Sequence, residues 1–203
     1  MRERIKRSLN FLEIMDKILY INSCVREESR TNKLAKYLLD KLNGNIEEVN
    51  LNKENIRPLN SSLLKKRDKL REINDYNDDL FKYAKKLKDA DIVVISSPYW
   101  DLSFSSLLKI YFENVNIGGI TFGYDEKGNI KSLCHIKKLY YVTTAGGYIQ
   151  SDEYGFGYVK SMFNTFYNVD DISYIKAEGL DIYGNNIDNI MNFAKMDIEK
   201  LFK

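Results

Sequence analysis

Apolar residues follow two spacings along this chain. Short β-branched and aromatic runs read as strands, and longer segments with apolar residues three and four apart read as helices. Lys17–Asn22 is the first strand. Ser29–Leu42 follows as a helix with Leu34, Tyr37, Leu38 and Leu42 on one face, and Asn43-Gly44 reads as its stop. Asn45–Leu51 is a second strand, with Ile46, Val49 and Leu51 as its apolar positions. Ser61–Asp89 is a long, charged helical region, broken or frayed where Asn74–Asp79 is rich in Asn and Asp. Asp91–Ser97 is the central, buried strand, and Phe104–Val115 a helix carrying Leu107, Leu108, Tyr111, Phe112 and Val115. Ile120–Tyr124 and Ile130–Leu133, joined around Lys127-Gly128-Asn129, read as a small hairpin. Lys138–Thr144 is the fourth main strand. Gly155–Asn168 is helical despite its glycines, Asp171–Ala177 is the fifth strand, and Asn186–Phe202 the closing helix.

Strands alternating with helices predict an α/β three-layer sandwich: a five-stranded parallel sheet with helices on both faces and right-handed crossovers. The small hairpin is an insertion before strand four. For five strands the flavodoxin-like order 2-1-3-4-5 is expected. Ligands of such sheets bind beyond the carboxyl ends of the strands, here where strands one and three meet.

Three loops converge on that place. The most telling ends the central strand: DIVVISSPYW closes on Pro98, Tyr99 and Trp100, the last being the only Trp in the chain, followed by Asp101 and Leu102. Large flat side chains there offer a surface for a planar cofactor; they would equally close the end of the core. The loop after strand one supplies Ser23, Ser29 and Thr31 before a helix start, a phosphate-sized anion cradle. Ordinary helix capping by Ser29 or Thr31 explains the same residues. There is no GxGxxG and no GxxxxGK[ST], which points to a monophosphate. The loop after strand four, Thr144-Ala145-Gly146-Gly147-Tyr148, pairs two glycines. They would allow unusual φ and close backbone approach, and their N–H groups would donate to a ring carbonyl that gains charge on reduction; a plain tight turn is the alternative.

Composition narrows the classes. At 203 residues the chain suits one α/β domain, and a formal net charge of +2 gives no nucleic-acid footprint. No apolar run is long enough to span a membrane. Residues 1–14 read as an N-terminal extension, with the domain at 15–203. The extension is either an added amphipathic turn or helix, or translation upstream of Met15; it is not expected to be a secretory signal. Cys24 and Cys134 have no metal spacing and read as reduced cytoplasmic thiols. His135, the only His, reads as structural or surface. No metal site and no catalytic acid–base pair is expected.

At these residues the chain resembles the FMN-dependent NADH-azoreductase family of flavodoxin-like NAD(P)H:quinone oxidoreductases. Leu108-Lys109-Ile110-Tyr111-Phe112-Glu113 and Gly119-Ile120-Thr121-Phe122-Gly123-Tyr124 are similar to the family's LKxYFD and GVTFxY segments, and Ala177-Glu178-Gly179 to its AEG. The likeness runs nearly gap-free from Leu102 to Leu133 and covers the chain from Met15 onward. It implies FMN as cofactor, NADH or NADPH as donor, a quinone or azo compound as acceptor, a ping-pong cycle, and a homodimer whose partner completes each site. It further implies that Ser23, Ser29, Arg30 and Thr31 hold the phosphate. Pro98 to Leu102 would line the isoalloxazine, and Thr144 to Gly147 its pyrimidine edge. Phe122, Tyr124 and Tyr148 would belong to the substrate pocket. Asp101 stands where the family has Asn, Trp100 where it has Tyr, and Tyr148 where many relatives carry His, departures that bear on substrate range. A non-enzymatic FMN electron carrier, an FMN reductase that releases its flavin, and a flavin-free protein on the same fold are the competing readings.

Overall fold

A computed structural model describes residues 15–203; residues 1–14, the expected extension, lie outside the described residues. Five strands, β1 (Asp16–Asn22), β2 (Gly44–Asn50), β3 (Ile92–Ser96), β6 (Lys138–Thr144) and β7 (Ile172–Ala177), form one sheet in the order β2-β1-β3-β6-β7. Each neighbouring pair is parallel. Counted within the main sheet this is the expected 2-1-3-4-5. The short strands β4 (Phe122–Tyr124) and β5 (Ile130–Ser132) pair antiparallel as a separate hairpin.

Side-chain alternation splits the core in two. Ile18 and Tyr20 of β1, Val94 of β3, and Tyr140 and Val142 of β6 point to one face, under α1 (Arg30–Leu39) and α6 (Ile187–Lys200). Leu19, Ile21, Val93, Ile95, Leu139 and Tyr141 point to the other, under α3 (Lys82–Asp89), α4 (Ser106–Val115) and α5 (Tyr158–Tyr167). Successive strand residues face opposite sides, so strands covered on both faces read as continuous apolar runs.

The structure moves several expected boundaries, each for a local reason. The helix ending at Asn43-Gly44 stops earlier, at Leu39 with Asp40 as its cap. Gly44 instead opens β2, where a Cβ would come within 2.5 Å of the Asp16 carbonyl oxygen, so β1 and β2 could not approach as they do. Ile46 is exposed because β2 is a sheet edge, and Glu47 and Glu48 beside it keep that edge polar. The long charged region does break, into α2 (Ser61–Glu72) and a 3-10 turn leading into α3. Asn60 caps α2 through its side chain, and no residue of α2 is buried. The helix expected from Gly155 starts as a π turn, Glu153–Gly157, with Gly157 N donating to the Asp152 oxygen at 2.7 Å, and becomes α5 only at Tyr158. Asn168, in the left-handed conformation, ends it.

Candidate functional site

The carboxyl ends of β1, β3 and β6 open into a cleft of about 480 Å³. Ser29, Arg30 and Thr31 line it on the α1 side, Pro98, Tyr99 and Trp100 on the β3 side, and Thr144, Ala145 and Gly146 on the β6 side. Leu180 and Asp181, from the loop after β7, complete it. Sequence reasoning missed these last two. They enter because the β7–α6 loop lies along the β6 loop: Leu180 N donates to the Ala145 oxygen at 3.2 Å, and Asp181 N to the Gly146 oxygen at 2.9 Å. The nearby AEG segment was the only available signal, and it marks the strand end without showing what the next loop touches.

On the α1 side the capping reading holds for Ser29 and not for Thr31. Ser29 is the N-cap, its Oγ accepting from Asn32 N at 3.2 Å. Thr31 Oγ1 lies 2.7 Å from Thr144 Oγ1, a buried pair tying the start of α1 to the end of β6. The backbone N–H groups of Arg30 and Thr31 find no acceptor among the described residues. A helix start with free donors favours an anion. The Arg30 guanidinium stands beside it, with Nη1 2.8 Å from Asp181 Oδ1.

Ser23 departs from expectation. It is fully buried, and its N and Oγ both donate to the Ser96 oxygen, at 2.9 and 3.0 Å, so it joins β1 to β3 beneath the cleft. A wider network supports it: Tyr20 Oη lies 2.8 Å from both Asn32 Oδ1 and Ser96 Oγ, and Ser96 Oγ donates to Asn22 Oδ1 at 3.2 Å. Tyr20 thereby holds the first turn of α1 from below. Cys24 lines the cleft, but burial pushes its thiol above the ordinary range, which makes it a poor nucleophile.

The wall after β3 is built by a tight turn. Trp100 N donates to the Ser103 oxygen and Ser103 N to the Trp100 oxygen, both at 2.8 Å, and the two residues between have positive φ: 49° at Asp101 and 68° at Leu102. That is the signature of a type I′ turn, unusual for a Leu. The reversal carries Asp101 out of the cleft into a neighbouring groove shared with Phe104, Lys109, Tyr154 and Tyr158. Leu102 is 59% exposed. Trp100 touches both spaces. Tyr99 is braced by its N, donating to the Thr144 oxygen at 3.0 Å, and by its Oη, donating to the Ser151 oxygen at 3.3 Å.

On the β6 side neither Gly146 nor Gly147 has positive φ, so the expected backbone conformation is not what selects them. A Cβ on Gly146 would overlap the Asp181 carboxylate, while Gly147 faces open space. The N–H groups of Gly146 and Gly147 have no acceptor among the described residues. Tyr148 is exposed and lies against Gly179, and neither it nor Gly147 is among the residues lining the cleft.

Phe122 and Tyr124 are not brought to this cleft. α4 begins at the end of β3, where Ser105 N meets Ser97 Oγ, and runs back about 15 Å. The hairpin follows it, and His135 N then meets the Lys88 oxygen beside the amino end of β3. Phe122 packs on Phe166, and Tyr124 borders a groove with Arg71 and Tyr76. His135 is exposed at this remote end. Among the described residues, no cluster of His, Cys, Asp and Glu could hold a metal ion, and no helix is long and apolar enough to cross a membrane.

Residues 16–201 match the family model described as flavodoxin-like fold. An FMN-dependent NADH:quinone oxidoreductase of Coprothermobacter proteolyticus is 32% identical over 200 residues, covering 93% of this chain and 99% of its own. One of Clostridium perfringens is 34% identical over 182 residues, covering 86% and 91%. Among solved structures, an azoreductase from Bacillus anthracis str. Sterne superposes with a TM-score of 0.79 at 22% identity, over 92% of this chain and 98% of its own. An FMN-dependent NADH-azoreductase from Bacillus anthracis str. Ames Ancestor, solved in complex with FMN, does so at 0.73 and 22% identity, over 93% and 100%. At such identity the structural likeness speaks for the fold alone.

Proposed function

The chain belongs to the flavodoxin-like fold family, and from that premise and the cleft we propose that it is an FMN-dependent NAD(P)H oxidoreductase acting on quinones or azo compounds. One observation carries the reading. Free backbone donors from two loops, at Arg30–Thr31 and at Gly146, line one cleft walled by Tyr99 and Trp100. This donor set fits a group with an anionic end, a flat body and a polar ring edge. Its volume lies within the roughly 300–1,000 Å³ of small-molecule sites. The relatives' names point the same way, since they are FMN-dependent NADH:quinone oxidoreductases.

When bound, FMN would supply the electron transfer of a ping-pong cycle, with NADH or NADPH as donor and a quinone or azo compound as acceptor. The protein binds and orients. Arg30 and the first N–H groups of α1 would hold the phosphate, with the Thr31–Thr144 hydroxyl pair behind them. Ser29 keeps that helix start ordered, and Ser23 sets the spacing of β1 and β3 beneath. Pro98, Tyr99 and Trp100 form the flat wall and would exclude water from one side of a bound ring. Asp101 and Leu102 act through the turn that aims Trp100. Gly146 would present its free backbone N–H where the ring's pyrimidine edge gains negative charge, with Ala145 fixed beside it by donating its own N–H to the Ala177 oxygen at 2.9 Å. No side-chain acid, base or metal is assigned to the reaction.

The functional unit is proposed to be a homodimer, in which the hairpin of a second copy brings Phe122 and Tyr124 to the cleft alongside Tyr148. In support, Tyr124 is 65% exposed in the single chain, and Trp100, Leu102, Tyr154 and Tyr158 leave apolar surface open beside the cleft. Two free thiols suit a cytoplasmic setting. Neither nucleic acid nor membrane is proposed as a partner.

The test is the visible spectrum of the purified protein with FMN, before and after anaerobic NADH, and then after a benzoquinone. Bound flavin that bleaches and then recovers is the expected result. Bound flavin that neither NADH nor NADPH reduces would make the protein an electron carrier. Absence of retained flavin would overturn the phosphate assignment and leave an FMN reductase or a flavin-free protein.

A further inference from the structure

The Arg30 guanidinium already has a partner in the cleft. Its Nη1 lies 2.8 Å from Asp181 Oδ1 and 3.4 Å from the Leu180 oxygen. Asp181 in turn is held over the cleft: its N donates to the Gly146 oxygen at 2.9 Å, and its carboxylate occupies the space that any Cβ on residue 146 would need. A carboxylate therefore sits in the same cleft as two free N–H groups of a helix start and takes their neighbouring cation.

We propose that Asp181 is an internal anion that competes with the cofactor's phosphate for Arg30 and thereby sets how tightly that phosphate is held; this rests on the FMN reading above. Like charges in one cleft repel, so a phosphate entering beside Arg30 must displace the Asp181 side chain or share the guanidinium with it. Displacement is feasible. Asp181 is two-thirds exposed on its side chain and Arg30 about two-fifths, which makes the pair a weak, screened one. Asp181 is a positioning residue acting through Arg30, and its effect is confined to ligands that carry the phosphate.

The experiment titrates FMN and riboflavin into wild type, Asp181→Asn, Arg30→Gln and the double variant, following quenching of flavin fluorescence. Asp181→Asn is expected to tighten FMN roughly two- to fivefold and to leave riboflavin unchanged. Arg30→Gln weakens FMN, and in that background Asp181→Asn recovers less than it gains in the wild type. Inorganic phosphate should compete with FMN more effectively in Asp181→Asn than in wild type. Equal changes for FMN and riboflavin would overturn the proposal, because Asp181 would then act on the ring or the loop. Weaker FMN binding in Asp181→Asn would overturn it in favour of Asp181 orienting Arg30 for the phosphate. Fully additive effects in the cycle would remove the competition for Arg30. No quenching by any of the four proteins would overturn the flavin reading and this proposal with it, whereas quenching by wild type with unchanged FMN affinity in Asp181→Asn would overturn this proposal alone.

Discussion

The Thr31–Thr144 hydroxyl pair makes a sharp prediction about both stability and binding. The oxygens are 2.7 Å apart and buried, and they join the first turn of α1 to the last residue of β6. Thr31→Val keeps the shape and removes one hydroxyl, leaving its partner with no other bond in the structure. A lost bond with one group left unsatisfied costs about 1–2 kcal/mol, and Thr144→Val should cost about the same. Removing both leaves no orphan, so the double variant should lose clearly less than the sum, with a coupling of about 1 kcal/mol. In a chain of this size each kcal/mol lowers Tm by roughly 2–4 °C. Urea melts followed by circular dichroism measure all four corners of the cycle. Binding adds a second readout. Two hydroxyls carry two hydrogens and the pair uses one; either oxygen can be the donor, and with Thr144 donating, the Thr31 hydrogen is the one available to a phosphate. Hydrogen bonds to charged groups contribute about 1.5–3 kcal/mol, so Thr31→Val should weaken FMN by roughly tenfold or more. Strictly additive stability losses would refute the pair, and unchanged FMN affinity in Thr31→Val would refute the donated hydrogen.

Leu102→Gly relieves a positive φ that costs a non-glycine residue about 1–2 kcal/mol, against roughly 0.5–1 kcal/mol for glycine's extra freedom when unfolded. Thermal melts should show an unchanged or slightly more stable protein; a clear loss would mean that the exposed Leu102 side chain packs after all. Both thiols should resist alkylation at pH 8 in the folded protein, since burial raises Cys24 and takes Cys134 up to about 12. Labelling timed by mass spectrometry should run at least about tenfold faster in urea, and equal rates would contradict the burial argument. The Asp91 carboxyl is held below its usual range, first by the Lys17 N–H at 3.0 Å and then by the Lys137 ammonium. Its stabilising effect is therefore present above about pH 4 and lost as pH falls through the lowered folded value; Asp91→Asn should flatten the acid limb of a stability–pH curve, and an identical limb would exclude it. Tyr124→Ala should change quinone KM several-fold with little change in FMN content, and unaltered kinetics would remove the hairpin from the substrate pocket.

Much of this architecture could be read from local pattern. The apolar runs of β1, β3 and β6 are continuous because both faces are covered, and the regular alternation with helices predicts the parallel sheet and its order. The break between α2 and α3 was legible in its Asn and Asp residues, and three of the converging loops in Ser, aromatic and Gly residues placed just after strand ends. Other features depend on residues distant in sequence. Ser23 looks like a cradle residue until β3 lies beside it and takes both its donors. Ile46 looks like core until β2 turns out to be the sheet edge. Gly146 looks like a turn glycine until Asp181, thirty-five positions on, occupies its side-chain space. The hairpin aromatics look like pocket residues until α4 carries them to the far end of the sheet. Periodicity and turn chemistry are encoded within a few residues, so the sequence by itself determined the elements, their order and the end of the sheet where the cleft opens. Which atoms face that cleft, and which charge already holds Arg30, depended on contacts between residues far apart in the chain, and only the tertiary structure decided them.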